Sequence, residues 1–208
     1  MSTSIPILPL AALRRLIISF LLLSLITGIL YPLLTYALGQ GLFQAKANGS
    51  LINSDGKLRG SMLIGQAFSA PHYFWSRPSA TANFANNGEA SGGSNLAPSN
   101  PAFREAVAER IANVRAAHPD AKAPIPAELV TTSASGLDPH ISLAAAEYQL
   151  TRVASQRHMT IEQLRATVKR YTEEPQWGIF GETRVNVLAL NLALDQEHPI
   201  HPEPSTHQ

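Results

Sequence analysis

Three groupings in this chain carry side chains able to do chemistry. Ser135, Asp138 and His140 supply a hydroxyl, a carboxylate and an imidazole, the set a hydrolase uses to orient and activate a nucleophile. They fall in the polar, turn-prone stretch SASGLDPHIS, residues 133–142. Such closeness in sequence is poor geometry for a proton relay. Turn chemistry accounts for the same residues: Asp138 before Pro139 caps a turn, and Ser142 caps a following helix. The second grouping is Ser91-Gly92-Gly93-Ser94, whose two glycines permit left-handed backbone and close approach of a partner, or a tight surface turn. The third is His198, His201 and His207 near the C-terminus, whose spacing fits no metal-site template, so no metal is expected.

Several chemistries have no sequence here to carry them. There is no Walker A pattern to cradle a phosphate, no Asp-Lys-Thr-Gly run for an aspartyl phosphate, and no Gly-x-Ser-x-Gly elbow. The chain has no cysteine, which removes disulfides, thiolate sites and a lipid-modified N-terminal cysteine. Its formal net charge is +1, with +2 on residues 1–38 and −1 beyond, which leaves no electrostatic footprint for nucleic acid. No catalytic residues are expected.

What must position any site begins with Leu16–Leu38, 23 residues without a charge. As a helix this run covers about 30 Å, the hydrocarbon thickness of a bilayer. It is longer than the roughly 7–15 residues of a signal-peptide core. An uncleaved anchor is therefore preferred, although Ala45-Lys46-Ala47 has the small-x-small form of a cleavage site. Arg14 and Arg15 precede the run, and residues 1–38 hold no acid. The positive-inside rule then puts the N-terminus in the cytoplasm and the rest outside it. Tyr31 and Tyr36 suit the headgroup interface, and Pro32 should kink the helix near Gly28.

The expected organisation is a cytoplasmic tail (1–15), a transmembrane helix (16–38), a soluble α+β domain (39–196) and a disordered His/Pro-rich tail (197–208). Within the domain, Asp55-Gly56 reads as a hairpin turn between strands at Leu51-Ile52 and Ser61–Ile64. Residues 66–100 show little periodicity and read as a long loop, with Tyr73-Phe74-Trp75 as a core element. Asn100-Pro101 opens a helix with a Phe103, Val107, Ile111, Val114 stripe, which His118-Pro119-Asp120 stops. Leu129–Thr132 reads as a strand. A second helix starts near Ser142, with Leu143, Ala146, Leu150 and Val153 on one face. A third follows the capping box of Thr160 and Gln163. Arg184–Val187 alternates like a strand and then changes to helical spacing through Leu190 and Leu194.

In order along the chain stand Tyr31-Pro32-Leu33-Leu34-Thr35, Asn48-Gly49-Ser50-Leu51-Ile52, Leu63-Ile64-Gly65-Gln66, Tyr73-Phe74 and Arg77-Pro78-Ser79-Ala80. Ser91–Leu96, Ser133–Asp138 and Asn191-Leu192-Ala193-Leu194-Asp195 complete the series. This order resembles the C subunit of the Kdp high-affinity potassium-transporting ATPase, from about residue 16 to 195.

The resemblance implies an accessory subunit of a bacterial inner-membrane potassium uptake complex, needed for assembly and activity. Its implied partners are an ATP-hydrolysing P-type subunit, a channel-like potassium-translocating subunit, a small single-span subunit and membrane lipid. It also implies a catalytic-chaperone role that raises the affinity of the ATP-hydrolysing subunit for ATP, with Gln149 as the nucleotide contact and ATP as the ligand. The flanking arginines place the domain where ATP is scarce, so packing over the mouth of the potassium pathway is the role that position favours. Two alternatives from the residues alone are a membrane-anchored periplasmic hydrolase using Ser135, Asp138 and His140, and an anchored binding module.

Overall fold

The structure is a computed structural model that describes residues 9–54 and 56–200. Asp55 of the expected hairpin turn, the first part of the N-terminal tail, and His201 and His207 lie outside the described residues. The chain divides into two compact units, Met1–Ser50 and Leu51–Gln208.

The first unit is built on one helix, Leu10–Leu42, whose 33 residues are long and apolar enough to cross a membrane. It extends past the apolar run at both ends, and Gly39 and Gly41 lie inside it. Helical hydrogen bonding at Gly39 continues one turn further, to Phe43 N–H at 2.9 Å. Where a kink is expected before Pro32, the helix has a π-helical turn, Ile26–Leu30. Pro32 lacks the N–H that would bond the Gly28 carbonyl, and its ring crowds that carbonyl. Widening the preceding turn relieves both, with the Tyr31 N–H reaching back to Ile26 O. A short helix, Gln44–Ala47, follows.

In the second unit, β1 (Leu51–Ser54) and β2 (Lys57–Ser61) form an antiparallel hairpin with a bulge between Ile52 and Asn53. Met62–Ile64, expected to extend the strand, turn away from it. A second antiparallel sheet has the order β3-β5-β4, made of His140–Ser142, Arg184–Asn186 and Thr172–Glu173. Ile141 faces Val185 across β3 and β5, and both are buried.

Helices Leu143–Gln156, Ile161–Arg170 and Val187–Glu197 supply most of the core. Each starts where a side chain caps it: Ser142 accepts from Ala145 N–H, Thr160 from Gln163 N–H, and Asn186 from Ala189 N–H. The Thr160/Gln163 capping box is present in both directions. The expected switch from strand to helix falls at Asn186–Val187. The Pro101–Ala117 helix is capped by Asn100 and packs more loosely, with Val114 buried and Val107 and Ile111 half-buried. Leu143 faces outward, 41% exposed, so the apolar stripe of its helix begins at Ala146 rather than Leu143.

Leu129–Thr132 is not a strand. A 3₁₀ turn, Ala127–Leu129, stands there, and Thr131 bonds Ala127 O through both its N–H (2.9 Å) and its hydroxyl (2.8 Å). Pro124 and Pro126 just before it lack the donors a ladder needs, and Val130 buries without pairing while Thr131 and Thr132 stay half-exposed. Leu129 and Val130 are still core residues. From Met62 to Asn100 the chain forms neither helix nor strand, yet Phe74 in its middle is fully buried.

Candidate functional site: a loop platform and an amide clamp

A loop this long must satisfy its backbone polar groups somewhere. It does so at two places, and both use residues from the ordered sequence series.

The first is the Ser133–Asp138 segment, which acts as a platform. Gly65 N–H donates to Leu137 O at 2.8 Å, and Gly92 N–H to Ser135 O at 2.8 Å. Ser79 Oγ donates to Gly136 O at 2.7 Å and accepts from Asn86 N–H at 2.9 Å. Arg77 reaches Asp138 Oδ2 at 3.2 Å and Thr132 O at 3.3 Å. Three separate stretches of the long loop, at Gly65, Arg77–Ser79 and Gly92, therefore meet one turn. The contact needs glycine: a Cβ on Gly136, whose φ is +68°, would lie 2.6 Å from Gly92 O. A Cβ on Gly93 would lie 2.9 Å from Ala134 O. The close approach expected of the Ser-Gly-Gly stretch thus has a partner inside this chain, and neither glycine of the pair adopts positive φ.

Ser135, Asp138 and His140 do not form a relay there. The Ser135 hydroxyl accepts from Leu137 N–H (3.1 Å) and lies 3.4 Å from the Ser133 hydroxyl, within its own turn. Asp138 accepts from His140 N–H at 3.0 Å and pairs with Arg77. Burial alone would raise the Asp138 pKa. Hydrogen bonds from the His140 side chain and backbone, together with the Arg77 charge, outweigh it and hold the carboxyl below the usual aspartate range. His140 also lies 3.8 Å from Glu173, which in turn pairs with Arg184. The group is a structural charge network. Buried within it, Arg77 Nε has no hydrogen-bond partner.

The second place is a clamp on residues 71–75. Asn191 brackets Phe74, accepting from its N–H and donating to its carbonyl, both at 2.9 Å. Gln149 does the same for Trp75, accepting from its N–H at 2.7 Å and donating to its carbonyl at 3.2 Å. Two side-chain amides thus replace the neighbouring strand this segment lacks. Gln149 is fully buried, and its remaining capacity goes to Ala145 O (3.2 Å) and Arg152 (2.8 Å).

Arg152 continues the clamp. Its guanidinium bonds Tyr73 O at 2.9 Å, Pro71 O and His118 Nε2 (2.9 Å), and sits 4.5 Å from the Trp75 ring centroid. Among the described residues no carboxylate pairs with it, and desolvation lowers its pKa to about 10. Because arginine only donates, His118 Nε2 must accept. Nδ1 then carries the proton and donates to Val114 O at 2.7 Å. Burial lowers the His118 pKa, the Val114 bond opposes this and the Arg152 charge reinforces it, so the ring stays neutral. Arg157 closes the other side, bonding His72 O and Asp195 Oδ1 at 2.7 Å each, while Tyr73 Oη donates to Asp195 Oδ2 at 2.7 Å. Arg157 also reaches the His198 carbonyl at 3.1 Å, just beyond the last helix. Among the described residues no group of three or more His, Asp or Glu side chains could hold a metal ion.

Sequence reasoning singled out Gln149 but not Arg152, Arg157, His118, Asn191 or Asp195 as a set. One signal was available. Gln149 follows Ala146 by three and precedes Val153 by four, and Asn191 follows Val187 by four and precedes Leu194 by three. Both amides therefore interrupt an apolar face, where a buried polar group needs partners.

An apolar helix long enough to span a membrane, joined to a small α+β domain whose polar residues fix its own loops, is the build of a single-span membrane-associated protein. The chain belongs to the KdpC family, the c chain of K+-transporting ATPases, whose family model matches residues 13–196. A Potassium-transporting ATPase KdpC subunit of Dechloromonas aromatica is 55% identical over 183 residues, covering 88% of this chain and 96% of the relative. Those of Methylococcus capsulatus and Serratia proteamaculans are 56% and 55% identical, over 86% and 88% of this chain and 94% and 97% of the relatives. Membership makes the chain a partner of other Kdp subunits with an accessory role in potassium transport.

Proposed function

We propose that this chain is a non-catalytic subunit of an ATP-driven potassium uptake complex, anchored in the bacterial inner membrane with its N-terminus in the cytoplasm. Its domain stands outside the cytoplasm, packs over the mouth of the potassium pathway and is needed for assembly and activity. The partners are a channel-like potassium-translocating subunit, an ATP-hydrolysing P-type subunit and a small single-span subunit. The observation that carries this reading is the clamp. The polar side chains best placed to do chemistry, Gln149 and Arg152 above all, are committed to holding residues 71–75. The arginines before the anchor helix and the absence of acid from residues 1–38 support the orientation.

In this reading Gln149 is a latch. A direct nucleotide contact, with the subunit raising the ATP affinity of its P-type partner, requires the amide to leave Trp75, Ala145 and Arg152. Mild-detergent extraction through a C-terminal tag tests the subunit role. Stoichiometric recovery with a P-type ATPase subunit and a multi-span channel-like subunit is the expected result; recovery of the chain alone, folded and monodisperse, overturns it. ATPase titration of the complex with Gln149→Ala separates the two roles of the amide. A latch lowers the amount of intact complex at unchanged KM for ATP, whereas a nucleotide contact raises KM in complex that assembles normally.

A further inference from the structure

Between β4 and β5 the chain makes a tip, Gln176–Phe180, closed by a two-way backbone bridge: Gln176 N–H to Phe180 O (2.8 Å) and Phe180 N–H to Gln176 O (3.0 Å). Gly178 N–H bonds Pro175 O at 2.9 Å and Ile179 N–H bonds Gln176 O at 3.2 Å, so the turn is fully specified. Trp177 (81%), Ile179 (77%) and Phe180 (62%) stand in solvent on it, with the Trp177 and Phe180 rings edge to face at 6.0 Å. Trp177 holds φ +55°, a left-handed conformation that costs a bulky residue free energy and persists where the surroundings impose it. Three large apolar side chains on a rigid, strained turn are the form of an interface anchor, since little conformational entropy is left to lose on docking.

The rim says what it docks into. Glu174 and Glu182 flank the tip and are exposed, Arg184 is taken up by Glu173, and residues 171–183 contain no lysine or arginine. Hairpins and helices that settle into lipid headgroups carry basic residues beside their apolar face. This one carries acids, which suit a pocket with a basic rim. We propose that Trp177, Ile179 and Phe180 form a plug by which this chain docks into an apolar pocket, rimmed by lysine or arginine, on another subunit of the transport complex. The inference rests on the subunit reading above.

The test uses the full chain in the purified complex, with a photoreactive benzoylphenylalanine at position 177. A covalent adduct to another protein subunit is expected. Adducts to lipid alone, or none from an intact complex, overturn the plug. Ile179→Ser with Phe180→Ser should weaken retention of the chain on a complex tagged on another subunit by about tenfold, at an unchanged melting temperature of the full chain in detergent. Unaltered retention overturns it too. If the unsubstituted chain itself is missing from the complex, the subunit reading fails rather than the surface.

Discussion

Gln149 shows how much one buried amide can hold. Removing it with Gln149→Ala leaves the Trp75 N–H and an Arg152 donor without partners in the core. An unsatisfied buried donor costs about 1–3 kcal/mol, so denaturant unfolding of the full chain in detergent should show a loss of at least that size. A change within error would mean that residues 71–75 are held elsewhere. His118 gives a pH dependence of definite sign. Its folded pKa lies below the 6.5 of a free imidazole, so the unfolded chain binds more protons through the window below 6.5. Stability therefore falls on acidification from pH 7 until the folded pKa is passed, by at most about 1.4 kcal/mol per pH unit for one proton. His72, also lowered by burial and by Arg157, adds in the same direction. Melting curves between pH 7 and 5 should show this slope, and His118→Gln should flatten it in part. Asp138 runs the same way at lower pH: its folded pKa also lies below the unfolded one, so its contribution is present above pH 3.8 and is lost as pH falls through the lower folded value.

At the scale of elements, the platform depends on backbone lying against backbone. Gly136→Ala would press a Cβ onto Gly92 O at 2.6 Å and force a side-chain residue to φ +68°. A loss of roughly 1–3 kcal/mol is expected in unfolding experiments. A neutral result would show that the two loops can part freely. In the anchor helix, Gly28 lies in the π turn with open space around its Cα. Gly28→Leu would put a bulky side chain where a small residue leaves room for a neighbouring span of the complex, and it should reduce the yield of assembled complex. Normal assembly would remove Gly28 from any helix–helix contact. These elements also show what the sequence could reveal. Caps at Asn100, Ser142 and Thr160, the Asn186 switch and the apolar helix were legible because each depends on neighbours within four residues. The platform and the clamp were not, because they join residues far apart through side chains whose partners no local pattern specifies. Leu129–Thr132 misled for the opposite reason: its β-branched residues favour a strand locally, but the preceding prolines deny it a ladder.

Across the whole molecule, several contacts that hold the long loop come from the far end of the chain, in addition to the platform and Gln149. Phe74 waits for Asn191, 117 residues later, Tyr73 for Asp195 at 122, and Met62 for Asn186 at 124. Pairings so distant in sequence make folding slow and close to all-or-none. Truncation before Val187 should therefore leave residues 66–100 open to limited proteolysis although the 101–117 helix still carries its own cap. Protection of that stretch in the shortened chain would show that the platform suffices. The Asn191 half of the amide clamp is thus the last part of it to be synthesised. Until the last helix has left the ribosome, Phe74 lacks the amide that brackets it, although Gln149 and the Ser133–Asp138 platform are already made, so the order of synthesis makes Asn191 the closing contact of the loop.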